Sequence, residues 1–185
     1  MAHPASRSAT YEDLLQVPEH LVAEILNGEL QTHPRPAPRH AHACFSLGDE
    51  LVSPFHKGRG GPGGWWILGA PELHLESDVM VPDLAGWRRE RLPQLPDAAW
   101  FELVPDWACE ILSPSTARTD RVIKMPLYAQ HGVEHLWLID PDLRTLEAYE
   151  LQSARWMLLA TLGEDEAVSL PPFDAIEFSL SALWS

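Results

Sequence analysis

Trp107-Ala-Cys-Glu-Ile-Leu112 is an apolar run broken once, by Glu110. A run this short and this apolar suits a β-strand buried on both faces. Ser113 to Thr116 follows as a turn. Thr119 is placed to cap a helix running to about Gln130, and His131-Gly132 supplies its stop, because glycine accepts the left-handed conformation that ends helices. Pro126 lies inside that pattern. It has no amide hydrogen, so it must kink the helix or move its start. His135 to Ile139 is the next apolar run. Strand, helix and strand in succession predict a right-handed parallel crossover. This unit decides the fold class: α/β, a mixed central sheet flanked by helices.

Toward the N-terminus, Thr10 with Asp13 predicts a capped short helix over Tyr11 to Gln16. Leu21 to Leu26 and Glu29 to Thr32 flank Asn27-Gly28, a strong short hairpin signal because both turn residues accept positive φ. Ala43, Leu47 and Leu51 recur at helical spacing within Arg39 to Val52, and Pro54 is expected to end that helix. Residues 58 to 64, Gly-Arg-Gly-Gly-Pro-Gly-Gly, predict a flexible loop. Trp65 to Leu68, Leu73 to Leu75 and Leu84 to Trp87 read as strands. Residues 88 to 105 are charged and proline-rich, which predicts a surface excursion. Beyond the crossover, Asp140-Pro141-Asp142 is a turn, Thr145 to Leu151 and Trp156 to Leu162 form an antiparallel pair, and Ser179 to Trp184 is a last short helix.

The 185 residues are 45% hydrophobic and 22% charged, which fits one folded domain spanning 1–185 and not a disordered chain. Residues 1–9 read as a flexible tail. No apolar run approaches the roughly 20 residues of a membrane helix. Cys44 and Cys109 lie among apolar neighbours and make no disulfide framework. These features point to a cytoplasmic protein. The formal net charge of −14 argues against binding nucleic acid through the whole surface, since phosphate contacts need Lys and Arg. A local basic rim stays compatible with it, and carboxylates that hold cations carry part of that charge.

Three side chains carry the chemical signal. Glu110 is a carboxylate in a buried strand, costly by several kcal/mol unless an arginine or a metal meets it. Asp83 belongs to one of four Pro-Asp pairs, at 82–83, 96–97, 105–106 and 141–142. It stands at the mouth of the apolar strand Leu84-Ala-Gly-Trp87; it is either a turn aspartate or a site residue. Lys124 follows Asp120 by four, as an exposed helical ion pair would, and Tyr128 lies one turn further along the same face. Phosphodiester hydrolysis needs a nucleophilic water and stabilised charge on phosphate. Mg²⁺ held by one or two carboxylates provides both, and a nearby lysine orients the water or steadies the phosphate. Two acids on neighbouring strands and one lysine are a minimal set.

Other features are weaker. The nine histidines show no coherent zinc spacing, although His40 and His42 would point together on an extended segment. The glycine loop lacks the Lys-Ser/Thr ending of a phosphate-binding loop. Lys57, Arg59, Arg88, Arg89 and Arg91 are either solvated charges or a mobile rim for DNA. The eight tryptophans fall mainly in strand-like runs and belong to the core, with Trp87 and Trp100 available for stacking on bases.

The segments Val81-Pro-Asp-Leu-Ala-Gly-Trp87, Cys109-Glu-Ile-Leu-Ser-Pro-Ser-Thr116, Asp120, Lys124, Tyr128 and Gly132-Val-Glu-His-Leu-Trp-Leu-Ile-Asp-Pro141 resemble the Uma family of putative restriction endonucleases, in the PD-(D/E)xK nuclease superfamily. The opening Glu24-Ile-Leu-Asn-Gly-Glu-Leu30 and Pro36-Ala-Pro-Arg-His40 also fit, so the resemblance covers nearly the whole chain. It implies a restriction-endonuclease-like core with an N-terminal helix and hairpin. It makes Asp83 and Glu110 metal ligands for Mg²⁺, with Mn²⁺ able to substitute, and Glu24 a further acid near the site. It also implies that His40 contacts a phosphate or a carboxylate. Without it, Glu24 reads as a polar position on a half-buried hairpin. One departure stands out: Leu112 occupies the place of the superfamily's lysine, two residues after the second acid. The resemblance then requires Lys124 to reach back from the next helix. The expected activity is Mg²⁺-dependent hydrolysis of DNA, with a homodimer by analogy. The alternatives are a non-catalytic descendant that binds nucleic acid or protein, and a hydrolase of another phosphoester.

Overall fold

Thr10 caps the first helix, α1 (Tyr11–Leu15), by a reciprocal bond with Asp13. In this computed structural model, which describes residues 7–185, the first six positions of the expected tail lie outside the described residues. Within the described part, the Ala9 amide donates to the Gly28 carbonyl at 2.8 Å, so the chain is tied to the hairpin there. That hairpin is β1 (Leu21–Leu26) and β2 (Glu29–Pro34), joined through Asn27 and Gly28 at φ 53° and 77°. Helix α2 (Pro38–Leu51) follows, then β3 (Trp65–Gly69), β4 (Leu73–Leu75), β5 (Asp78–Met80) and β6 (Leu84–Arg88). The buried run is β7 (Trp107–Ile111), all five residues buried. Helices α3 (Ala117–Thr119) and α4 (Met125–His131) lead to β8 (His135–Asp140). Strands β9 (Thr145–Gln152), β10 (Arg155–Gly163), β11 (Ala167–Val168) and β12 (Phe178–Ser179) precede a 3₁₀ turn at Leu180–Leu183.

A six-stranded sheet in the order β10-β9-β8-β7-β6-β3 forms the centre. Only β7 and β8 pair in parallel; the remaining neighbours are antiparallel. The sheet is therefore mixed, as the strand–helix–strand unit predicts. A second sheet, β2-β1-β5-β4, is antiparallel throughout. Alternation along β7 divides the core. Trp107, Cys109 and Ile111 pack with Leu47 and Leu51 of α2 and with Phe173, while Ala108 and Leu112 pack with Trp87, Leu127 and Tyr128. Gly86 lets the first layer close, because a Cβ there would stand 3.2 Å from the Trp65 ring.

Several expectations need correction. Pro54 does not end its helix. The chain widens into a π turn at Val52–His56, in which the Lys57 amide bonds the Val52 carbonyl, and this wider turn accommodates a residue without an amide hydrogen. Thr119 is not a cap. The Ser113 carbonyl accepts from Thr116 and Ala117, so the turn winds straight into α3. Pro126 is accommodated by a second π turn, Asp120–Lys124, immediately before α4. Gly132 closes α4 in the left-handed conformation, as the sequence indicates. Residues 88 to 105 are no mere excursion: Phe101 stacks on Trp87 at 4.4 Å, and the carbonyls of Leu92 and Leu103 receive the indole hydrogens of Trp66 and Trp87. Strands β5, β11 and β12 escape the sequence reading because, unlike Leu73-His-Leu75, their two or three residues show no apolar–polar–apolar alternation.

Candidate active site

Asp83 immediately precedes β6, and Glu110 lies within β7. These strands pair with Leu84 opposite Cys109 and Ala85 opposite Ala108. One step further along that register sets Asp83 across from Glu110, on the face that carries Ala85, Ala108 and α4. The Ile111 amide donates to Asp83 Oδ2 at 2.7 Å, and His40 Nε2 lies 3.2 Å from the same oxygen. A strand backbone and a helix side chain thus fix one edge of the carboxylate.

Lys124 comes from the π turn before α4. Its Nζ lies 2.7 Å from Glu110 Oε1 and 2.9 Å from Glu24 Oε1, and it donates to the Val81 carbonyl at 3.0 Å. An ammonium has three hydrogens, and three oxygens stand within 3.0 Å of this one. The Tyr128 hydroxyl, one helical turn on, donates to Glu110 Oε1. Glu24 Oε1 also accepts from the Val81 amide at 2.7 Å, and His33 Nε2 stands 3.6 Å from Glu24 Oε2. Among the described residues the side-chain partners of Glu110 are Lys124 and Tyr128, and no arginine meets it. The ion pairs of Lys124 run to Glu110 and Glu24, not to Asp120, and Lys124 and Asp120 are both buried, so neither belongs to an exposed helical pair. Glu24 is 1% exposed, not half-buried. Leu112 shares the face of Glu110 but packs into the apolar layer with Leu127 and Tyr128.

A cavity of about 270 Å³ opens on this group, with Asp83, Glu110, Asp120, Lys124 and His40 in its wall. Glu24 and Glu110 thus pair directly with the ammonium, and Asp83 and Asp120 share the cavity wall with it. Burial pushes Glu110 well above the ordinary carboxylate range, and Asp120, Asp83 and Glu24 push it further. Burial raises Asp120 to about 6. Burial opposes the charge on Lys124, yet Glu110 and Glu24 outweigh it and hold the amine protonated well above its usual range. A cation bound beside these acids would relieve the mutual repulsion that raises Glu110 and Asp120. Among the described residues, no group of three or more His, Cys, Asp or Glu side chains forms a ready metal cage. Asp83 Oδ1 and Glu110 Oε2 nevertheless have no hydrogen-bond partner among those residues. Two carboxylates with open oxygens beside a polar cavity fit Mg²⁺, which keeps several of its waters.

The remaining candidates fall elsewhere. His42 bonds the Ser185 carbonyl at 2.8 Å. The proposed basic rim does not form at Arg88, Arg89 and Arg91. Arg88 and Arg91 reach Asp106 at 3.7 and 2.7 Å, and Arg89 lies over the Trp66 ring while bonding the Trp65 and His56 carbonyls. Lys57 and Arg59 are exposed. Trp87 is fully buried and cannot stack on a base, and Trp100 stacks on His74 at 4.7 Å. Asp120 lines the cavity and Tyr128 bonds Glu110 behind it, although the sequence marks neither as a site residue. Their spacing of four on either side of Lys124 was the available signal.

A mixed sheet with acids on adjacent strands, and a lysine turned back from the following helix, places the chain in the class of nuclease-like α/β folds. The solved chain described as "a putative nuclease belonging to DUF820 from Anabaena variabilis" has this fold. It is similar with a TM-score of 0.75 and 24% identity, over 95% of this chain and 97% of that one. The Uma2 family, described as "Putative restriction endonuclease", matches residues 9–182, and the chain belongs to it. No curated protein matches the chain. Among the described residues no helix is long and apolar enough to cross a membrane.

Proposed function

We propose that this chain is a Mg²⁺-dependent endonuclease that hydrolyses DNA phosphodiester bonds, with Mn²⁺ able to substitute. It would act as a single cytoplasmic domain and, by analogy with its superfamily, as a homodimer. The observation that carries the reading is the convergence of Asp83, Glu110 and Lys124 on one cavity from three separate stretches of chain.

Asp83 and Glu110 would hold the ion. When bound, Mg²⁺ would activate water and offset charge on the phosphate. The protein's own part is positioning. The Ile111 amide and His40 fix Asp83 so that Oδ1 faces outward. Lys124 and Tyr128 do the same for Glu110, leaving Oε2 open. Glu24 shares the ammonium and keeps Lys124 charged and in place. The amine then stands ready to exchange a carboxylate contact for a phosphate oxygen as substrate enters.

The test is cleavage of plasmid and linear DNA by purified protein in Mg²⁺, Mn²⁺ and EDTA. Asp83→Ala should abolish metal-dependent cleavage while its thermal unfolding stays cooperative; unchanged cleavage by this variant sinks the reading. One observation favours a second reading, a non-catalytic binding protein: three protein oxygens already stand within 3.0 Å of Lys124 Nζ. Calorimetric titration with Mn²⁺ separates the two, because the enzyme should bind the ion specifically and lose that binding in Glu110→Ala.

A further inference from the structure

Helix α2 has two apolar faces where a surface helix normally has one. Ala43, Leu47 and Leu51 are buried in the core. Ala41, Cys44, Phe45, Gly48 and Val52, spaced at i, i+3, i+4, i+7 and i+11, line instead an open groove of about 500 Å³. Ile67 and Leu84 supply its floor. Phe45 is 78% exposed, the most exposed large apolar side chain among the described residues. Small neighbours at 41 and 48 leave its ring unobstructed. The groove is continuous with the candidate site, because His40 and Asp83 belong to the walls of both.

We propose that this groove is a nucleobase subsite: it receives an unstacked base beside the scissile phosphate, with Phe45 as the stacking platform. The preferred substrate is then single-stranded or locally opened DNA, not continuous duplex. This rests on the nuclease reading above. Charge supports it. The chain carries −14 overall, Arg88, Arg89 and Arg91 are occupied by protein partners, and the carboxylate of Asp49 on the groove repels phosphate from it. Among the described residues the groove wall holds no lysine or arginine, so affinity for a strand lying there must come from its uncharged surface. Stacking on an aromatic ring supplies such affinity and tolerates any base, but a base within a duplex is already stacked and paired.

The experiment measures binding of an oligonucleotide carrying 2-aminopurine, as single strand and as duplex, in Ca²⁺. Cleavage in Mg²⁺ is followed in parallel. Wild type should prefer the single strand and quench the aminopurine. Phe45→Ala should weaken single-strand binding by roughly 5- to 100-fold and raise KM with little change in kcat, while Phe45→Trp should bind as well as wild type or better. The logarithm of affinity should fall only shallowly with salt. Equal binding by Phe45→Ala, or a preference for duplex, overturns the subsite. So does sedimentation showing that Phe45→Ala splits a dimer without altering DNA binding, which would make the groove an interface between copies. Cleavage lost in Asp83→Ala yet untouched in Phe45→Ala removes the subsite and leaves the nuclease. Failure to bind or cut DNA of any form removes both.

Discussion

Replacing Lys124 by methionine keeps the length of the side chain and removes the charge. Glu110 and Glu24, 3% and 1% exposed, then lose their common ammonium partner at 2.7 and 2.9 Å. Removing one partner of a buried ion pair costs about 3–5 kcal/mol, because the other is left uncompensated. For a chain of this size each kcal/mol moves Tm by about 2–4 °C, so a drop of roughly 6–20 °C is expected in EDTA at pH 8. The pH dependence has a definite sign. Without the ammonium, both carboxyls titrate higher in the folded than in the unfolded state, so the folded state takes up protons. The deficit should be greatest at pH 8 and shrink toward pH 5. Glu24→Gln added to Lys124→Met should recover part of the loss. The assay is thermal unfolding followed by circular dichroism at both pH values. A Tm change below about 2 °C at pH 8, or a deficit that deepens on acidification, would refute this account of the cluster.

Asp120 titrates near 6 because it is buried, above its ordinary 3.8. Its ionisation therefore opposes folding above pH 6, and Asp120→Asn should be more stable than wild type at pH 8 by up to about 3 kcal/mol, converging with it by pH 4 in denaturant titrations. Mg²⁺ at about 100 times its Kd should stabilise the wild type by about 2.7 kcal/mol, read as a Tm shift that Asp83→Ala lacks. Gly132 sits at φ 82°, and a Cβ there would touch nothing within 4 Å. Gly132→Ala should therefore cost only backbone strain, about 1–2 kcal/mol or 2–8 °C in Tm, and leave DNA binding unchanged.

The central architecture was legible because its signals are local and strong. A buried strand shows as an uninterrupted apolar run, and Asn27-Gly28 and Gly132 each announce a backbone shape that few residues adopt. Glu110 stood out for the same reason, as one charge in an apolar context. What escaped was set by partners distant in sequence. Arg88, Arg89 and Arg91 look solvated until Asp106, the Trp65 carbonyl and the Trp66 ring are seen beside them. Asp120 and Lys124 look like an exposed pair at helical spacing, and only the fold reveals that acids from β1 and β7 have claimed the amine. The two π turns left no periodic trace either, although a proline within or just after each was a warning that regular winding would fail.

The second of those wide turns sets a clock for the cavity. Regular α-helix advances about 100° per residue, so deleting a single residue between 121 and 123 would swing Asp120 roughly a quarter-turn relative to Lys124 and Tyr128. Length changes that an ordinary surface helix absorbs would here dismantle the polar cluster. Relatives that keep the cluster should therefore vary in the loops after residue 56 and around residue 95, and hold the stretch from the strand to the amine at constant length.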